Sequence, residues 1–172
     1  MIRLSAVIIT FNEEKNIGRC LESLKGVADE IVVLDSFSTD QTESICREHG
    51  VRFIRHPFGG YIEQKNEVLR LAHYDHVLSL DADEALSPQL RASILDLKAN
   101  WQLDAYSFNR LTWYCRRFMR HGGWYPDTKV RLFVRGKGAW GGENPHDRFI
   151  PHDPARVGKL KGDLLHYSYF SV

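Results

Sequence analysis

Leu4 to Thr10 is a nearly unbroken apolar run, the pattern of a strand covered on both faces. Ile17, Cys20, Leu21 and Leu24 then recur at helical spacing, and Gly26 follows as a stop signal. A second buried strand spans Glu30 to Leu34 and ends at Asp35. Ser38, Thr39 and Asp40 offer N-caps for a helix that continues to Gly50. Val51 to Ile54 reads as a third short strand, Glu63 to about Ala72 as a looser helix, and His76 to Leu80 as a fourth strand ending at Asp81. Ser87-Pro88 is a cap followed by proline at the first helical position, and Leu90, Ile94 and Leu97 give that helix one apolar face. After Asn100 the pattern changes. Ala105 to Tyr114 and Lys129 to Val134 predict longer strands with glycine and proline between them; Val130, Leu132 and Val134 alternate with their neighbours, and Phe133 interrupts a clean two-sided pattern.

The order β-α-β-α-β-α-β predicts an α/β fold with a parallel sheet and right-handed crossovers, followed by a mixed, aromatic-rich second half. No repeat, low-complexity stretch or linker divides the chain, so one domain over 1–172 is expected. A hydrophobic fraction of 43% in 172 residues suits a sizeable core. With 23 basic and 22 acidic side chains, no global field points to a polyanion, and nucleic acid is not an expected partner. The three cysteines lack metal-ligand spacing; Cys20 and Cys46 fall in apolar helix patterns and read as core residues of a protein in a reducing compartment. Met1-Ile2-Arg3 leads straight into a strand, without the pattern of a signal peptide, and no apolar stretch approaches the roughly 20 residues that span a bilayer. A cytoplasmic protein is expected, with peripheral docking at the inner face of the membrane compatible with that.

Each predicted parallel strand ends in polar residues: Thr10-Phe11-Asn12-Glu13, Asp35-Ser36, Arg55-His56 and Asp81-Ala82-Asp83-Glu84. In open parallel sheets ligands bind beyond these carboxyl ends, so the topology gathers the groups along one rim. The loop after the first strand carries neither G-x-G-x-x-G nor a P-loop, which leaves a nucleotide to be held by carboxylates and a metal. Asp81 and Asp83 are two apart in extended backbone and face one side. Oxygen ligands of this kind suit Mg²⁺ or Mn²⁺, which complete their shell with substrate phosphates and water.

These residues resemble the inverting family 2 glycosyltransferases of the GT-A fold. The resemblance rests on Val7-Ile8-Ile9-Thr10-Phe11-Asn12-Glu13, Val33-Leu34-Asp35-Ser36-Phe37-Ser38-Thr39-Asp40-Gln41-Thr42, Gln64-Lys65-Asn66-Glu67 and Leu80-Asp81-Ala82-Asp83-Glu84. Gly122-Gly123-Trp124-Tyr125-Pro126-Asp127 and Arg131-Leu132-Phe133 are similar to the branch that decorates the lipopolysaccharide core. The resemblance implies a GT-A sheet, mostly parallel with mixed C-terminal strands, with a nucleotide-sugar-binding half (1–100) and an acceptor-binding half (101–172). It implies transfer from a UDP-sugar, UDP-glucose foremost, to a hydroxyl of a core glycan or comparable glycolipid. Thr10, Asn12 and Glu13 would line the nucleoside pocket, Asp35 would bind the base, and Lys65 would lie near the donor. Asp81 would lie near ribose and metal, and Asp83 would ligate the metal.

Inversion needs a base for the acceptor proton. In the family a glycine-containing loop precedes an acidic base, and related members often show His-Glu where this chain has His146-Asp147; Asp147 is therefore favoured, then Glu143, then His146. His166 matches a C-terminal histidine that many GT-A enzymes use as a metal ligand. Arg116, Arg117 and Arg120, with Trp124 and other aromatics interleaved, would contact a phosphorylated, lipid-linked acceptor. The chain ends at Phe170-Ser171-Val172, where the related core-sugar enzymes continue, so a truncated form is expected. Two other readings share the frame: a nucleotidyltransferase acting on a sugar phosphate, which usually carries a glycine-rich basic loop after the first strand, and a domain that binds a nucleotide-sugar without transferring it.

Overall fold

The computed structural model describes residues 1–167. The expectation drawn from Phe170-Ser171-Val172 lies outside them. The first half is the predicted alternation: β1 (Leu4–Thr10), α1 (Ile17–Leu24), β2 (Glu30–Asp35), α2 (Thr42–Glu48), β3 (Arg52–Arg55), α3 (Tyr61–Leu71) and β4 (His76–Asp81). Then come β5 (Glu84–Leu86), α4 (Pro88–Lys98), β6 (Ala105–Tyr114), the short β7 (Arg117–Phe118), β8 (Asp127–Val134), β9 (Gly138–Glu143), β10 (His146–Pro151), a 3₁₀ turn (Pro154–Arg156) and β11 (Val157–His166). The main sheet runs β3-β2-β1-β4-β8-β6-β11-β5, with β7 pairing β6. The first four strands are mutually parallel; β8 is antiparallel to both β4 and β6, and β11 is parallel to β6. Beside this sheet, β9 and β10 form a separate antiparallel hairpin.

Side-chain alternation along buried strands sends residues to two cores. Leu4, Ala6 and Ile8 of β1 pack with Ile17, Cys20, Leu21 and Leu24 of α1, Cys46 of α2 and Leu90, Ile94 and Leu97 of α4. Val7 points the other way and joins Val68 and Leu69 of α3 and Trp140 and Phe149 of the hairpin. Cys20 and Cys46 are core residues, as their spacing implies, and burial pushes the Cys46 thiol up to about 12.

Phe133 breaks the predicted alternation because β8 is an interior strand. Leu132 serves one core, while Phe133 serves the other, stacked on Phe149 at 3.7 Å. Helix boundaries shift for local reasons. Ser87 caps α4 as expected, accepting the Leu90 N–H at 3.2 Å. At α2 the Asp40 carboxylate accepts from both the backbone N–H and the hydroxyl of Thr42, so the helix begins at Thr42. Helix α3 starts two residues earlier than its apolar pattern, at Tyr61. Gly60 enters it at φ 134°, and the Asn144 side chain accepts the Ile62 N–H, a first-turn donor.

Candidate functional site

The rim predicted from the strand ends is present. Thr10 lies opposite Asp35 in register, and Ile9 opposite Asp81. The Thr10 hydroxyl donates to Asp35 at 2.6 Å, and Asp35 also accepts the N–H and hydroxyl of Ser38. The loop after β1 is stitched to the loop after β2. Asn12 N–H donates to Ser38 Oγ, Thr39 N–H to Asn12 Oδ1, Glu13 N–H to Thr42 Oγ1, and Glu14 N–H to Asp40. Asn12 makes these contacts at φ 50°, a conformation asparagine tolerates better than most residues. Asn12 and Asp35 thus shape the loops, whereas Thr10 and Glu13 stand on the wall of the cavity beside them.

That cavity, about 570 Å³, is lined by Thr10, Phe11, Glu13 and Ser36 from the first two loops, Phe58, Tyr61 and Lys65 from around α3, Asp81 and Asp83 after β4, and Pro145 and Asp147 from the hairpin. Lys65 is the hub. Its Nζ lies 2.6 Å from Asp147 and 3.3 Å from Asp81, with the Trp140 ring centroid 4.3 Å away. Burial would raise the Asp81 carboxyl, but the charges of Lys65 and Arg131 outweigh it and hold the group well below the usual carboxylate range. Burial likewise opposes the Arg131 charge, yet Glu84 and Asp81 overcome it and raise that pKa further. Glu84, fully buried on β5, accepts the Asp81 N–H at 2.7 Å and Arg131 at 2.7 Å.

The opposite end of the cavity is acidic. Burial, reinforced by the negative charges of Asp83 and Asp81, pushes the Glu13 carboxyl up, against a hydrogen bond from Asn16. Asp83 Oδ2 lies 3.2 Å from His166 Nε2, whose Nδ1 faces the Thr112 hydroxyl at 3.2 Å. Asp83 and His166 are thus an adjacent oxygen and nitrogen donor in a field that favours a cation. Among the described residues no group of three or more acidic, histidine or cysteine side chains is arranged to hold an ion alone. Asp83 and His166 are of the donor types that an open divalent site uses when its other ligands are substrate oxygens and water.

The remaining candidates are dispersed. Glu143 and His146 flank the exposed hairpin turn and do not line the cavity. Arg116, Arg117 and Arg120 are exposed along the β6–β7 turn and beyond it, outside both principal cavities; Trp124 lines the second of these, next to His166. Glu84 and Arg131 stand in quoted motifs without an expected role, although each leaves a trace: an acid directly after the D-x-D, and an arginine between apolar residues of a strand, where a buried charge requires a partner. Asn66, likewise quoted without a role, has a side chain that exchanges two hydrogen bonds of 3.1 Å with the Trp140 backbone. No local pattern announces that contact.

The model of a family described as "Glycosyl transferase family 2" matches residues 5–145. A lipopolysaccharide core biosynthesis glycosyltransferase, LpsC of Rhizobium meliloti, is 33% identical over 95% of this chain and 63% of its own length. An uncharacterized glycosyltransferase of Rickettsia felis is 37% identical over 78% of this chain and 45% of its own. Glucosyl-3-phosphoglycerate synthase from Mycobacterium tuberculosis, solved with Mn²⁺, UDP and phosphoglyceric acid, superposes with a TM-score of 0.51 at 25% identity, covering 66% of this chain and 44% of that one. The chain thus spans less than half of the Rickettsia felis relative and less than two thirds of LpsC.

Proposed function

The chain belongs to glycosyl transferase family 2 and has the GT-A fold, and from that premise we propose that it transfers a sugar from a UDP-sugar, UDP-glucose foremost, to a hydroxyl of a lipopolysaccharide core or similar envelope glycan, with inversion. The observation that carries this reading is the single cavity in which Lys65, Asp81, Asp83 and Asp147 converge at the carboxyl ends of the parallel strands. In this assignment residues 1–100 form the donor half and 101–172 the acceptor half. The likeness to LpsC supports the envelope acceptor, and the UDP and Mn²⁺ of the mycobacterial structure support the donor and metal.

Asp147 is the base in this mechanism. Its carboxylate takes the acceptor proton as the hydroxyl oxygen attacks the anomeric carbon, and the bond from that carbon to the diphosphate breaks with its electron pair going to the departing UDP. Asp83, with His166 behind it, and Asp81 would hold Mn²⁺ or Mg²⁺. A bound divalent cation supplies Lewis-acid stabilisation of the leaving diphosphate. Thr10 and Glu13 border the nucleoside, Asn12 and Asp35 hold the loops that shape its pocket, and Lys65 bridges the Asp81 and Asp147 side chains and keeps the Asp81 carboxylate charged. Peripheral action at the inner face of the cytoplasmic membrane fits a glycolipid acceptor; no helix among the described residues is long and apolar enough to cross a bilayer.

Thermal-shift measurements test the donor and metal together. UDP is expected to raise Tm more with Mn²⁺ than without it. In Asp83→Ala the Mn²⁺-dependent increment should vanish while the unliganded Tm stays near wild type. Equal shifts with and without Mn²⁺ in the wild type would remove the cation from the site.

A further inference from the structure

The exposed turn between β6 and β7 is strongly and locally basic. Between Asp104 and Asp127 the chain carries no acidic residue, while Arg116, Arg117, Arg120 and His121 follow one another closely. With a formal net charge of +1 on the whole chain, this is a local field. Exposed arginines elsewhere are paired: Arg47 lies 2.7 Å from Glu43, and Arg70 lies 2.6 Å from Glu67. Among the described residues Arg116, Arg117 and Arg120 are exposed and form no ion pair. The backbone explains why they stand out. Cys115 (φ 49°) and Arg116 (φ 66°) make a two-residue hairpin turn of left-handed dihedrals, closed by the Tyr114–Arg117 pair. In the next pair Trp113 and Phe118 meet edge to face at 5.0 Å, and Phe118 lies 5.9 Å from the Tyr167 ring. Tyr167 donates its N–H to the Asp83 carbonyl at 2.8 Å. The aromatic layer therefore fixes the basic turn beside the acidic end of the first cavity.

These arginines lie outside both principal cavities, so they face a partner larger than a ligand that either cavity encloses. Guanidinium groups spread over a turn, with half-buried Phe118 and Met119 between them, match an anionic bilayer surface. There basic side chains meet headgroup phosphates, and aromatic rings sit at headgroup level. Single-stranded nucleic acid would need open ring faces for its bases, and the rings here are turned on one another. We propose that the β6–β7 turn docks the protein on an anionic lipid surface through Arg116, Arg117 and Arg120. Docking holds the acidic end of the first cavity close to the headgroup plane, where a membrane-anchored acceptor presents its hydroxyl. The proposal rests on the peripheral placement given above and assigns it to a surface: the arginines meet the phosphates of the bulk lipid rather than the acceptor's own.

Co-sedimentation of the full chain with lipid vesicles tests this. Vesicles of phosphatidylglycerol mixed into phosphatidylcholine should bind the protein, and pure phosphatidylcholine should not. Raising NaCl from about 0.05 M to about 0.5 M should release it, because salt screens a surface field. Arg116→Gln, Arg117→Gln and Arg120→Gln combined should lower partitioning about 10²-fold, roughly fivefold for each charge. Replacing the same three by lysine should leave binding within about threefold of wild type, because a bilayer reads charge, whereas a bidentate site for one phosphate requires guanidinium. All three side chains are exposed, so both variants should unfold at the wild-type Tm. Equal binding to neutral vesicles, wild-type binding by the glutamine variant, or loss of binding by the lysine variant would each overturn the proposal. So would displacement from the vesicles by oligouridylate but not by polyglutamate of equal charge, which would make the turn a nucleic-acid platform. The UDP–Mn²⁺ Tm shift on the same samples reports on the donor reading separately. A wild type without it removes that reading and leaves the docking surface standing, whereas the shift without vesicle binding removes only the docking surface.

Discussion

Lys65 carries its charge on a side chain only 7% exposed, between the carboxylates of Asp147 and Asp81. A buried ammonium is costly unless paired, so the two acids and the lysine hold one another in place. This geometry supports the proposal of Asp147, over Glu143 and His146, as the base. Asp147 is 8% exposed and faces the cavity, whereas Glu143 and His146 project from the hairpin turn. Replacing Asp147 by asparagine keeps the shape and removes the proton acceptor. The expected result is a loss of about 10²–10⁴ in kcat with the UDP-dependent Tm shift retained, because a base acts in the transition state. Glu143→Gln should remain close to wild type. Single-turnover measurements on both variants decide the matter; the reverse pattern would transfer the role to Glu143.

At the scale of elements, the β9–β10 hairpin delivers Asp147 to the site, and α3 holds the hairpin. Asn66 bonds both backbone groups of Trp140, Asn144 accepts from the first turn of α3, and Trp140 and Phe149 bury their rings against the second core. Asn66→Ala removes two hydrogen bonds at a half-buried position and should cost about 1–3 kcal/mol by denaturant unfolding. Its effect on kcat should exceed its effect on UDP affinity, since the donor loops after β1 and β2 are tied to each other and not to the hairpin. Equal losses in both would detach Asp147 from the α3 latch. This latch also marks the limit of what the sequence conveys. Strands β1 to β4 and helices α1 to α4 are legible because burial imposes a period, and the Asp81-Ala82-Asp83 site because a strand end imposes a direction. The hairpin was not legible. Gly138-Ala139-Trp140-Gly141-Gly142 has too few apolar side chains to show a period, and its partner residues Lys65, Asn66 and Ile62 lie more than seventy positions away. Strand β11 escaped for a similar reason: only Leu164 in it is fully buried, and Gly162, at φ 102°, falls within a bulge against β6.

Across the whole molecule, the parallel half of the sheet meets the mixed half where β4 pairs with β8, and the site sits at the end of that seam. Arg131 of β8 and Glu84 of β5 close the seam from within, and Glu84 also receives the Asp81 N–H. Glu84→Ala should therefore cost about 3–5 kcal/mol, since it leaves the buried Arg131 charge with the more distant Asp81 as its acidic partner, besides a long hydrogen bond to the Ser79 carbonyl. That is a large share of the roughly 5–15 kcal/mol that stabilises a domain. Replacing both members by apolar residues of similar volume, Glu84→Leu with Arg131→Met, removes the unpaired charge and should restore much of the stability. It should not restore the Mn²⁺-dependent response to UDP, because nothing then accepts the Asp81 N–H or faces its carboxylate from β8. Urea unfolding and the UDP–Mn²⁺ Tm shift, measured on the single and double variants, separate the two effects. If the double variant recovers both stability and the metal-dependent shift, the buried pair serves the fold alone and Asp81 is held by Lys65.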